Sequence, residues 1–280
     1  MNIDMDHLRQ WIGRAQSESE VLLPTLVRQF NATFDRTSST AEGDDAPLLI
    51  HFCLAQSVAP MSALGRDGHP ALGAFLPPVP LPRRMWAGGE FAFHAPIRIG
   101  ETVTRQSVIR DVQAKQGRSG ALCFVTVDHE ITSDGRHVLS ERQDIVYRDV
   151  ENAGATAPKR QAPAVRSGED YRKIVPTPTL LFRYSAMTFN GHRIHYDMPF
   201  CVESEGYPGL VVHGPMQATL LCQYAADLRG AEPKSFRFRS VSPIFSTTDF
   251  TVNGTPQGDD LSLWTAAEGG PVAMKAVATW

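Results

Sequence analysis

The chain has 280 residues, 42% hydrophobic and 20% charged, which is apolar enough to pack one large core or two ordinary ones and too apolar for wholesale disorder. Its formal charge of −3 comes from interspersed acids and bases, with no basic run suited to nucleic acid or an anionic membrane surface. The opening MNIDMDHLRQ carries acids where a secretory signal carries cations, and no apolar run reaches the ~18 residues that cross a bilayer, so a cytoplasmic protein is expected.

Residues 1–35 read as mostly helical, with Leu8, Trp11, Ile12 and Ala15 at helical spacing. Thr37 to Asp45 is a polar loop. LLIHFCLAQSV, at 48–58, suits a buried helix or strand, and 65–82, with Gly-His-Pro and further prolines, is a long irregular connection. From about Phe91 the pattern is β. PIRIGETVTRQSVIRDV turns at Ile99-Gly100-Glu101. LCFVTVDHEIT sets Cys123, Val125, Val127, His129 and Ile131 on one face and Phe124, Thr126, Asp128 and Glu130 on the other. SDGR reverses the chain and HVLSERQDIVYRD returns as an antiparallel partner.

Residues 151–170, ENAGATAPKRQAPAVRSGED, have no apolar period and read as a linker between two pieces, 1–150 and 171–280. The second piece opens with a possible strand in TPTLLFRYSAMTF. A buried helix follows in QATLLCQYAADL, then strands in SFRFRSVSPIF, TTDFTVNGTP, DLSLWTAAEGG and PVAMKAVATW. A helix followed by antiparallel strands, twice over, points to two α+β units.

Chemistry concentrates in FNGHRIHYDMPFCVESEGYPGLVVHGP, residues 189–215, which holds three of the nine histidines. His192, Asp197 and His213 are metal-ligand types, yet the H-x-x-H spacing is poorer than i, i+4 for one helical face and no carboxylate-rich segment completes a site. Cysteines 53, 123, 201 and 222 form no CxxC pair and argue for neither zinc nor a disulfide framework. No metal is expected. Asp197 before Met-Pro-Phe suits a helix cap, and each histidine alone also suits a structural hydrogen bond.

Asn190-Gly-His192-Arg-Ile194-His195-Tyr-Asp197, then Gly206, then His213-Gly214 before an apolar helix resembles the hydratase motif of the MaoC-like, hot-dog-fold acyl-thioester dehydratases. LPRRMWAGGEFAFHAPIRIGETV, GRSGALCFVTVDHEIT and QDIVYRD are similar to the first half of that family's two-hot-dog branch, and the matches span roughly 70–250. The resemblance implies an α+β double hot-dog fold, two antiparallel sheets each wrapped around a central helix. It implies one catalytic half, 171–280, and a first half that helps form a substrate tunnel. It also implies a cofactor-free hydro-lyase acting on an acyl-CoA thioester.

Hydration needs a base for water, a donor for the enolate oxygen and an acid for Cα. His195 suits the proton work, having an ordinary pKa near neutrality, and the Gly214 amide resembles the family's oxyanion donor. Asn190 stands where many relatives have Asp. It holds water or donates, but cannot accept a proton, which leaves His195 alone or assisted by Asp197 or the other half. His192, Asp197 and His213 are supporting residues. Candidate cations for CoA phosphates or a second substrate carboxylate are Arg193, Arg237, Arg239, Arg83 and Arg84, with Arg118 in a matching segment.

Within the resemblance the expected substrate is mesaconyl-C4-CoA or a related C5 dicarboxylic acyl-CoA. The alternatives are a fatty 3-hydroxyacyl thioester, a hot-dog thioesterase, or a non-catalytic acyl-CoA binding protein. A two-hot-dog chain completes the minimal paired unit alone and is compatible with a homodimer.

Overall fold

The computed structural model describes residues 3–117, 120–149, 164–165 and 168–280. The linker assigned to 151–170 lies outside the described residues except for 164–165 and 168–170. In chain order the elements are α1 (Met5–Arg9), β1 (Ala15–Val21), α2 (Pro24–Thr33), β2 (Arg83–Phe93), β3 (Thr102–Gly117), β4 (Gly120–Ser133) and β5 (Arg136–Arg148). Then come β6 (Asp170–Ile174), α3 (Pro178–Met187), α4 (Gly214–Arg229), β7 (Ser235–Ser240), β8 (Phe250–Gln257), β9 (Asp260–Ala267) and β10 (Val272–Thr279).

All ten strands join one antiparallel sheet in the order β1-β3-β4-β5-β2-β7-β10-β9-β8-β6. Read inward from each edge, 1-3-4-5-2 and 6-8-9-10-7 are the same order. Element for element the halves repeat: edge strand, helix, central element, four strands. This is the α+β double hot-dog arrangement, with its two sheets continuous through the β2–β7 pairing of Gly88–Ala92 with Ser235–Arg239. That seam is close: a Cβ on Gly89 would stand 2.4 Å from the Arg142 carbonyl oxygen and 2.8 Å from Phe238.

The two central elements differ. α4 is buried on nearly every face from Met216 to Ala225, polar Gln217, Thr219 and Gln223 included, as a helix enclosed by sheet is; it packs against β7, β8, β9 and β10 and ends at Gly230 in the left-handed region. Its counterpart, in the 48–58 segment read as a buried helix or strand, is a single 3₁₀ turn, Ile50–Cys53. Leu49 and Ala55 take φ of +64° and +50° on either side, which confines the helix to that turn.

Two further expectations are corrected. Residues 1–35 are not mostly helical: α1 ends at Arg9, Gly13 turns at φ +85°, and Ala15–Val21 is an edge strand paired with β3. Its side chains are nearly all solvent-facing, so it carries no apolar alternation. TPTLLFRYSAMTF is a helix and not a strand: the Thr177 hydroxyl accepts from the Leu180 amide at 3.1 Å and Pro178 opens the first turn.

The main core spans both halves, from Phe30, Ile50 and Phe91 to Leu221, Phe236 and Phe250. A charged group sits inside the first half. Glu141, 3% exposed, lies 3.3 Å from His51 on the 3₁₀ turn and opposite His129 in the β4–β5 register. Gln143 donates to it at 2.8 Å. Burial pushes its pKa up, but the His51 hydrogen bond, the neighbouring imidazoles and Gln143 outweigh that and hold it down to about 2.

Candidate active site

α3 delivers the motif. Past its end, Phe189 takes φ +50° and the Asn190 amide donates back to the Ser185 carbonyl at 2.8 Å. The Asn190 side-chain oxygen accepts from the His192 amide at 3.0 Å, so it closes a local turn, and its amide nitrogen is the atom left to donate outward. Arg193–His195 forms a 3₁₀ turn that carries His195 into the interior.

His195 is 7% exposed. Its Nδ1–H donates to the Val211 carbonyl at 2.8 Å. A carbonyl can only accept, so the neutral ring carries its lone pair on Nε2. The ring stacks on His213, with centroids 3.6 Å apart and planes 18° from parallel. His213 is wholly buried, pairs with the Ser185 hydroxyl at 2.8 Å and is the N-cap of α4. Helical bonding begins with the Gln217 amide on the His213 carbonyl, so the Gly214 and Met216 amides are not used by the helix and its positive end is open there. Trp86, from β2, covers this point: a Cβ on Gly214 would stand 3.2 Å from its ring.

The file of rings continues into the first half. His192 meets His195 edge-on at 5.3 Å and His69 at 4.0 Å. The His69 Nδ1 pairs with Asp67 at 2.8 Å, and Asp67 stands 4.0 Å from the His192 Nε2. Four imidazoles thus run in file between Asp67 and Ser185. Burial pushes the pKa of every ring down. His195 falls to about 4, with the charge of His69 adding to burial; His213 lies well below the ordinary value; and His69 and His192 are lowered too. Close packing of like cations disfavours more than one charge in the file, and Asp67 is the carboxylate beside it.

Asp67 and His69 were not singled out in the sequence. They sit in the irregular GRDGHP stretch, 120-odd positions before the motif, and the available signal was an Asp and a His two apart among glycines and prolines. Two glycines bring them in. Gly68 has φ +86°, and a Cβ there would stand 2.0 Å from the Gly191 carbonyl oxygen; a Cβ on Gly191 would stand 2.7 Å from the Gly68 oxygen. The Arg193 amide also donates to the Asp67 carbonyl at 2.9 Å. Gly68→Ala is therefore expected to push the loop off the motif and lower turnover at least about tenfold, since strain at such a backbone position costs about 1–3 kcal/mol. Steady-state kinetics beside a melting curve checks this, and unchanged turnover would count against loop docking as a requirement.

Asp67, His69 and His192 are also the one group of ligand-type residues that converge among the described residues, within 4.8 Å. The set weighed in the sequence, His192, Asp197 and His213, is not assembled. Asp197 accepts from the Phe200 amide at 3.1 Å and pairs with Arg193 at 2.8 Å, so it caps and orients.

The arginines separate. Arg193 holds Asp197 and the Arg66 carbonyl and covers the Phe200 ring; it is a structural clamp and not a free substrate cation. Arg83 binds the Glu205 carbonyl and carboxylate. Arg237 and Arg239 alternate with buried Phe236 and Phe238, so they face away from α4 and line an open groove of about 940 Å³ on the outer face of the sheet. Arg84 is the candidate whose charge reaches His69 and His192. Arg118 lies outside the described residues.

A family model described as hydroxyacyl-thioester dehydratase type 2 matches residues 49–246. The chain is 43% identical over 271 residues to the mesaconyl-C4-CoA hydratase of Chloroflexus aurantiacus, covering 95% of each. It is 28% identical over 222 residues to the mitochondrial type 2 hydroxyacyl-thioester dehydratase of Schizosaccharomyces pombe, covering 70% of this chain and 73% of that one. Among solved structures, a MaoC-like dehydratase from Phytophthora capsici aligns with a TM-score of 0.70 at 16% identity, over 99% of this chain and 98% of that one. A Mycobacterium tuberculosis protein described as a double hot dog aligns at 0.59 and 12% identity, over 95% of each. At these identities the likeness is one of fold.

Proposed function

The chain belongs to the hydroxyacyl-thioester dehydratase type 2 family and is a hydro-lyase of acyl-CoA thioesters; we propose that its substrate is an unsaturated C5 dicarboxylic thioester of the mesaconyl-C4-CoA type. One observation carries the chemistry: the His195 ring, with its lone pair on Nε2, lies flat on the N-cap of α4. A proton acceptor and an unused pair of amides then stand one ring apart.

On this reading His195 takes the proton of water as oxygen bonds to Cβ. The Gly214 amide and the end of α4 receive the charge that develops on the thioester oxygen; one such donor contributes about 3–4 kcal/mol to the barrier. Asn190 holds the water through its side-chain nitrogen. Arg84, beside His69 and His192, is the cation for the second carboxylate, which favours the dicarboxylic substrate over a plain fatty one. No cofactor is needed beyond the CoA of the substrate. No helix among the described residues is long and apolar enough to cross a membrane. Four buried free cysteines support a cytoplasmic place, and a homodimer is left to sedimentation.

The test is direct. Absorbance of mesaconyl-C4-CoA should fall on adding enzyme with no free thiol released. Thiol release would mean a thioesterase. Preference for a straight-chain C6–C8 enoyl-CoA would mean the fatty substrate, and silence on all of them a binding protein.

A further inference from the structure

Asn190 can neither take nor give a proton, and the Asp197 carboxylate is engaged by Arg193 and the Phe200 amide. The carboxylate that does meet the imidazole file is Asp67, and it arrives with His69 on a loop that two face-to-face glycines press onto the motif. We propose that Asp67 and His69, from the half expected only to bind, complete the acid–base machinery: the His69–His192 pair delivers the proton to Cα, and Asp67 is the positioning residue that holds His69 and supplies the counter-charge. This rests on the hydratase reading and extends it.

The step balances. Water gives a proton to the His195 Nε2 while its oxygen bonds to Cβ and the π electrons move into the thioester enolate. The enolate Cα takes a proton from the protonated His69–His192 pair. The proton on His195 passes back to the pair through solvent between turnovers. The product has gained one water, and the protein is unchanged. The two rings, 4.0 Å apart and tilted by 39°, cannot both be charged, so the pair holds one proton. Three groups face it: Asp67 on the loop, Arg84 on β2 and His195 on its 3₁₀ turn. Of these only Asp67 favours the protonated form, and burial opposes it. The close ring contact and the bond from the His69 Nδ1 to Asp67 suit a proton-carrying pair better than ligands converging on an ion.

The experiment measures kcat and KM for mesaconyl-C4-CoA across pH in wild type, Asp67→Asn, His69→Gln and Asp67→Asn combined with Asn190→Asp, with melting curves and elemental analysis. Wild-type turnover tests the hydratase reading first, so the two can fail separately. Asp67→Asn is expected to lower kcat about 10²–10⁴-fold with KM within threefold. It should move the alkaline limb of the pH profile to lower pH, because the protonated pair has lost its counter-charge. Asn190→Asp, restoring a carboxylate beside His192, should recover at least tenfold. A structural role for the loop would lower kcat without moving the limb. An unmoved limb, or kcat within threefold of wild type, overturns the proposal. So does a stoichiometric metal in the purified protein, since it would occupy the lone pairs of both rings. If Asp67→Asn fails to fold, the same reading is taken from His69→Gln.

Discussion

Replacing His195 with alanine is expected to lower kcat/KM for hydration by about 10²–10⁴-fold, the range that a positioned acid–base group contributes. Far-UV circular dichroism should be unchanged. The ring is held by one backbone bond, one stack and one edge-on contact, and losing each ring pair costs about 0.5–1.5 kcal/mol, so the melting temperature should fall only several degrees. The pH profile gives a second check. Burial has brought His195 down to about 4, and its neutral form is the proton acceptor. Activity should therefore persist on the acid side until the pH falls through about 4, and not be halved near 6.5 as an exposed histidine would dictate. Near-normal turnover in the alanine variant would remove His195 from the mechanism.

Glu141→Ala is expected to destabilise the first half by about 3–5 kcal/mol, the cost of leaving partners of a buried ionic group uncompensated. His51 and His129, 2% and 6% exposed, would lose their carboxylate. At about 2–4 °C per kcal/mol for a chain of this size, the melting temperature should drop on the order of 10 °C. Glu141→Gln, which keeps the shape, should cost less. The pH dependence has a definite sign. The folded pKa, about 2, lies below the unfolded value near 4.3, so this stabilisation is complete above the unfolded value and is lost as pH falls toward 2. A melting temperature for Glu141→Ala within 2 °C of wild type would show that the buried group contributes nothing.

The strands β3, β4, β5 and β7 to β10 were legible because one face of each is buried and the alternation writes that into the chain, as Cys123, Val125 and Val127 do; β6, DYRKI, is an edge strand with no buried face and was not. α4 was legible as an apolar run behind His213-Gly214. β1 was not: an edge strand of Ser and Glu has no buried face to record. α3 was misread because TPTLLF has the apolar content of a strand, although Thr177-Pro178 was a cap signal in plain sight. Of the site, the part carried by one continuous segment was readable as a motif, but the stacking of His195 on His213 was not. Asp67 and His69 were not, because only a contact between Gly68 and Gly191 makes them neighbours. Arg237 and Arg239 show the converse limit: alternation says that two side chains share a face, not which face of the sheet holds the chemistry.

The single 3₁₀ turn at Ile50–Cys53 has a consequence for how many substrates a chain can serve. Each half could have offered a helix end to an anion, and a symmetrical protein would then hold two equivalent poles. Here the central element of the first half is one turn, too short to gather a dipole, and of the two central elements only α4 keeps a pole of full length. On the proposed mechanism the duplicated architecture therefore works with a stoichiometry of one: the end of α4 receives a single oxyanion per chain, and the first half gives the loop of Asp67 and His69 in place of a second pole.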